Sequence, residues 1–243
     1  ESGRLQSFAG WFSSEQDRMG DETLYRWHKG VSYAFRRRTG TVGGTSRAGT
    51  AAAFDACQWG CGCRPVFAGK WGPGIRPVLI HGQIMRHDQV KELARLGITP
   101  SFFLAHVYHW GDVHMENLGM ERARRISPVR DAEEKQILFT LHQDSPVIPP
   151  DMMETVWCAV NRKTKNGVVL GGEQKLSAYE ALQAITIHAA KQYGEEQEKG
   201  TIAPGKRADF VVLDQDPMTA EPNDIRNIQV MMTVKDGQTI YQA

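Results

Sequence analysis

The chain has 243 residues, 41% of them apolar and 23% charged, with a formal net charge of +1. That length suffices for one large or two small domains with a sizeable core, and near-neutral charge argues against nucleic acid or an anionic membrane surface as the main partner. No apolar run approaches the roughly 20 residues that cross a bilayer. Four Cys make no disulfide scaffold in a chain this long. The opening ESGRLQSFAGWFSS has neither the basic start nor the apolar run of a secretory leader, so a cytoplasmic location is expected.

Residues 1–75 carry 10 Lys and Arg against 6 Asp and Glu, and the remainder 19 against 22, so a basic segment precedes an acidic one. Residues 39–74 are dominated by Gly, Ala, Thr and Arg and show neither a 3.6 nor a 2 period, so no ordered element is expected there. Cys57, Cys61 and Cys63 lack the paired C-x₂-C spacing of a thiolate metal site and read as free thiols. Arg36, Arg37 and Arg38 read as a solvated charge run.

From Arg76 the pattern is regular. Residues 77–81 (PVLIH) form a short apolar run, as in a buried parallel strand. A helix follows over 88–97, with Val90, Leu93 and Ala94 on one face and Gly97 as its stop. Residues 98–104 predict the next strand, 105–114 a polar, His-rich loop, and 116–125 a helical stretch. Another apolar strand is expected over 137–141, ending in His142-Gln143-Asp144. After Pro149-Pro150 comes a helix bearing Met152, Val156, Ala159 and Val160, and Ser177 to Glu180 form a capping box that starts one more. Strands alternating with helices imply βα units and a parallel sheet. Residues 200–243 are strand-rich, and Asp236-Gly237 sits where a two-residue type I′ hairpin turn belongs.

His81 directly follows one strand, and Asp144 comes three residues after another. Strand carboxyl ends carry the active sites of βα barrels, and imidazole and carboxylate are ordinary ligands of Zn²⁺ or a similar ion. Singly, each also suits a core, capping or turn role. His106, His109, Asp112 and His114 fit either a substrate- or metal-facing loop or a polar loop packed by Tyr108 and Trp110; their spacing matches no standard zinc pattern. His87 and His142 flank the strand ends as partners of a ligand or as surface groups, and His188 reads as structural.

The stretches RPVLIHGQ, LGITPSFFLAHVYHWGDVH, RISPVRDA, FTLHQDSPVIPPDMMETVWCAVNRKT, SAYEALQAITIHAA and KGTIAPGKRADFVVLDQDP resemble the carboxyl-terminal part of the amidohydrolase superfamily. The branch resembled is amidohydrolase family 3, the N-substituted formamide deformylase-like hydrolases, and the likeness runs over residues 76–243. It implies a metal-dependent (β/α)₈ TIM barrel with a small β-sandwich, and hydrolysis of carbon–nitrogen bonds other than peptide bonds in a small-molecule, amide-like substrate. It implies a divalent metal, zinc by preference, held by His81 and Asp144, with Asp144 also moving the proton. His106, His109, Trp110, Asp112 and His114 would then face the substrate. Residues 76–199 correspond to the second half of the barrel and 200–243 to sandwich strands; a homo-oligomer is compatible with this. The family's His-x-His pair is absent, and residues 3–13 resemble the segment after its fourth barrel strand. The expectation is therefore a partial enzyme lacking some metal ligands, with residues 14–75 out of frame or wrongly joined. The rival expectation is a non-catalytic binding or assembly module that keeps the second half of the barrel.

Overall fold

The computed structural model describes residues 75–243 together with the backbone of 52–57. Two sheets organise them. A four-stranded parallel sheet has the order β1 (Ala52–Cys57), β2 (Arg76–His81), β3 (Thr99–Phe102), β4 (Thr140–Leu141). An antiparallel sheet of β5 (Phe210–Leu213), β6 (Val230–Lys235) and β7 (Gln238–Gln242) closes the chain. Among the described residues no helix is long and apolar enough to cross a membrane.

The parallel sheet is built from βα units, as the alternating pattern implies. The apolar run of β2 pairs with β1 on one side and β3 on the other. Helix α1 (His87–Leu96) returns the chain from β2 to β3, buries Val90 and Leu93, and ends at Gly97 in the left-handed conformation (φ 63°). Between β3 and β4 lie α2 (Ala105–Leu118), α3 (Met120–Ala123) and α4 (Val129–Glu134). Helix α5 (Met152–Asn161) starts at Asp151, whose carboxylate accepts from the backbone N–H of Met153 and Glu154. The Ser177–Glu180 capping box is present and opens α6 (Ala178–Ile185), which α7 (Ile187–Tyr193) follows.

Register puts the strand carboxyl ends along one edge. Cys57 stands opposite His81, Ile80 opposite Ser101, and Phe102 opposite Leu141. The His142 N–H donating to the Phe102 carbonyl at 3.0 Å carries the ladder one step further. One core beneath this edge joins Leu79, Phe102, Phe103, Phe139 and Trp157 with Ile225 and Ile228 of the tail. In that tail, Lys235 pairs with Gln238, and Asp236 (φ 49°) and Gly237 (φ 76°) both adopt positive φ, the type I′ requirement.

Several expectations need correction. Residues 52–57 form a strand within the stretch read as without ordered elements; their partner is β2. Residues 105–114 are helix, not loop. The strand expected over 137–141 shrinks to Thr140–Leu141, although Ile137 and Phe139 stay buried. The last helix breaks at Thr186, where the Oγ1 hydroxyl donates to the Leu182 carbonyl at 2.7 Å. The resemblance over residues 3–13, the arginine run 36–38 and the thiols of Cys57, Cys61 and Cys63 lie outside what is described.

Candidate metal and substrate site

His81 ends β2 with a left-handed backbone (φ 69°), and Asp144 is also left-handed (φ 53°). Both side chains are thereby turned to the same edge, His81 Nε2 lying 3.9 Å from an Asp144 carboxylate oxygen. His142 joins them. Its Nε2 is 3.2 Å from His81 Nδ1, and its Nδ1 is 2.9 Å from the Ser101 hydroxyl. Donor atoms of His81, His142 and Asp144 all fall within 4.8 Å of one another.

Burial sets the charge state here. Desolvation lowers the pKa of His81 against the opposing pull of Asp144, and it lowers that of His142 to about 3, with His81 as a further cause. Both imidazoles are therefore neutral at pH 7 and keep a lone pair. A His81 Nδ1–H donating to His142 Nε2, and a His142 Nδ1–H donating to Ser101, make one consistent chain. It leaves His81 Nε2 bare toward Asp144, the tautomer a metal ligand needs. A carboxylate oxygen and an imidazole nitrogen 3.9 Å apart, with a neutral, half-buried histidine beside them, fit a divalent cation of the zinc type.

Phe103 backs this cluster, with its ring stacked on His142 at 5.6 Å. On its other side it meets His106 edge-on at 4.9 Å and Trp110 at 6.1 Å. The first turns of α2 thus stand one aromatic ring away from the His81 group. His106 and His114 are buried together, His106 Nδ1 lying 3.3 Å from His114 Nε2. Desolvation lowers His114 to about 4 and holds His106 well below the usual range.

The expected residues therefore divide. His81 and Asp144 come together, His106 and Trp110 pack on Phe103, and His114 meets His106. His109 turns away to pair with Glu154 of α5 at 2.9 Å. Asp112 accepts from the Asn166 N–H at 3.2 Å, while its other oxygen is buried without a partner. His87 leaves the site for Asp131 at 2.9 Å, and His188 meets the Phe139 carbonyl at 3.1 Å. Sequence reasoning missed Ser101 and Gln83. Ser101 sits inside a strand, and only the period-2 alternation of β3 could have placed it on the face of the histidines. Gln83 follows His81 by two residues, yet no spacing rule singles out an amide.

The model of the amidohydrolase family matches residues 51–241. An N-substituted formamide deformylase of Arthrobacter pascens is 32% identical over 165 residues, covering 68% of this chain and 30% of that protein. Among solved structures, an uncharacterized metal-dependent hydrolase of Pyrococcus horikoshii OT3 superposes with a TM-score of 0.60 at 24% identity, over 71% of this chain and 35% of that one. An amidohydrolase of Thermotoga maritima MSB8 gives a TM-score of 0.59 at 17% identity, over 100% of this chain and 56% of that one. At these identities the likeness of the structures speaks for the fold. The chain spans about a third of the length of the curated relatives it matches.

Proposed function

The chain belongs to the amidohydrolase family, and from that premise we propose that it serves as a metal-dependent hydrolase of carbon–nitrogen bonds other than peptide bonds, acting on a small amide. The observation that carries the reading is His81 Nε2 facing Asp144 across 3.9 Å at the carboxyl edge of a parallel sheet. In this reading the four parallel strands belong to a (β/α)₈ barrel over residues 76–199 and β1, and the tail sheet of 200–243 to a small β-sandwich. The formamides named for the Arthrobacter relative make N-substituted formamides the first substrates to try.

His81 and Asp144 would hold the ion, zinc being favoured by the imidazole–carboxylate donor set. When bound, such an ion supplies Lewis acidity and lets water ionise near neutral pH. Asp144, its side chain 37% exposed, is open to the mouth of the site. Its carboxylate takes a proton from the attacking water and passes it to the departing nitrogen, so amide and water become acid and amine. His142 and Ser101 hold His81 in the tautomer that keeps Nε2 bare. Phe103, itself buried, packs its ring against His81, His142 and His106.

Calorimetric titration of the metal-free chain with Zn²⁺ tests the site, and amine release from an N-substituted formamide tests the reaction. Stoichiometric binding lost in His81→Ala, with amine release abolished in Asp144→Asn, is the expected pair of results. Absence of binding would favour the non-catalytic module, and unchanged turnover in Asp144→Asn would remove the proposed proton transfer.

A further inference from the structure

Gln83 lies two residues beyond His81, yet its side chain reaches α2 rather than the ligand pair. Its amide nitrogen Nε2 is 2.9 Å from His114 Nε2, and the same His114 nitrogen is 3.3 Å from His106 Nδ1. All three side chains are buried, Gln83 and His114 to 3% exposure and His106 to 7%. An amide nitrogen only donates, so its contact with His114 is a hydrogen bond only if that Nε2 is bare. A bare Nε2 then meets His106 Nδ1 favourably only when Nδ1 carries the proton; two facing lone pairs would repel.

We infer that Gln83 is a positioning residue which, through His114, fixes His106 as the Nδ1–H tautomer and leaves His106 Nε2 as an acceptor for an N–H of the substrate. The inference rests on the proposed reading that α2 and the strand edge face one site, and it adds the class of substrate that the site prefers. Burial keeps both imidazoles neutral, which a single-tautomer relay requires. His106 Nε2 takes no hydrogen bond among the described residues. Its ring lies between Phe103 at 4.9 Å and Trp110 at 4.8 Å, neighbours that do not satisfy that nitrogen. A fixed acceptor there favours amides that retain an N–H over fully N,N-disubstituted ones.

Nitrogen-15 NMR of the histidine rings in the metal-free chain at pH 7 reads the tautomers directly. Wild type should show Nδ1–H at both His106 and His114. In Gln83→Glu a carboxylate that only accepts takes the place of the donor. His114 should then move to Nε2–H, and His106 should follow to Nε2–H. In Gln83→Met, which has similar length and no polar group, His114 should give tautomer-averaged signals while His188 stays unchanged as a marker of the fold. Nε2–H at His106 in wild type, or identical tautomers in wild type and Gln83→Glu, would overturn the relay. One equivalent of Zn²⁺ added to the same sample should move His81 and His142 first. Earlier movement of His106 and His114 would make that pair the ion's ligands and would also overturn the relay. No movement at all would count against the metal reading alone, leaving the tautomers to decide the relay.

Discussion

His142 carries a hydrogen-bonding contact on each ring nitrogen, to Ser101 and to His81, and in the proposed tautomer chain its Nε2 lone pair is taken by His81 Nδ1–H. In the proposed reading its part is to set the tautomer and tilt of His81, and such partners typically account for 10–100-fold in metal affinity. His142→Ala should therefore weaken Zn²⁺ binding about 10–100-fold without abolishing it, as measured by competition with a chelator. A loss as complete as in His81→Ala would instead make His142 a direct ligand. The two histidines illustrate what a sequence can show about a site. His81 is legible because it ends an apolar strand. The role of His142 depends on a hydroxyl 41 residues away, a juxtaposition that exists only once β3 and β4 pair.

Helix α2 shows why one element was misread. Its buried positions are Ala105, His106, Val107, Gly111, His114 and Leu118, which recur at helical spacing. Half of that inward face is His and Gly, so apolar periodicity alone reads the stretch as polar loop. The polar face is buried because His106 and His114 satisfy each other and Gln83. Gly111 is required there for space, since a β-carbon would stand 2.7 Å from Thr164 Cγ2. Gly111→Ala should thus cost about 1–3 kcal/mol in urea unfolding despite the better helix propensity of Ala. Adding Thr164→Ser, which deletes that methyl and keeps the hydroxyl that accepts from Val168 N–H, should recover most of the loss. Elements with ordinary signals were read correctly: α1 by its apolar face and Gly97, α6 by its capping box, and the β6–β7 hairpin by Asp236-Gly237. The segment around β1 was not, because Ala52–Cys57 gains its place from pairing with β2 rather than from its own pattern.

Across the whole molecule, the tail is tied to the site-bearing part by a clamp. The Arg226 guanidinium stacks between the rings of Tyr108 and Trp157 at 4.7 and 4.6 Å and pairs with Glu154, the partner of His109. Trp157 Nε1–H donates to the Asn223 carbonyl at 3.1 Å. Helices α2 and α5 and the tail are therefore held together, and the buried His114 lies within this unit. His142 and His114 titrate near 3 and 4 when folded, against 6.5 for an ordinary histidine. Above pH 6.5 both states are neutral and stability is full. As the pH falls below 6.5 the unfolded chain takes up protons that the folded chain refuses. At pH 5 each histidine should then cost about 2 kcal/mol, from 1.36 kcal/mol per unit over roughly 1.5 units. Urea midpoints of the metal-free chain between pH 7 and 5 check this, and His114→Gln should flatten the fall.

Arg162 is fully buried, and its guanidinium donates to the carbonyls of Leu170, Ser127 and Ile126 at 2.9, 3.2 and 2.7 Å. Two of those acceptors lie 35 and 36 residues away along the chain. The cation can leave water only after that distant segment has arrived, because desolvating it with acceptors missing is prohibitive. Its contacts are therefore expected to form late in folding. The strength of this fastening is felt less in how fast the chain folds than in how slowly the finished structure comes apart.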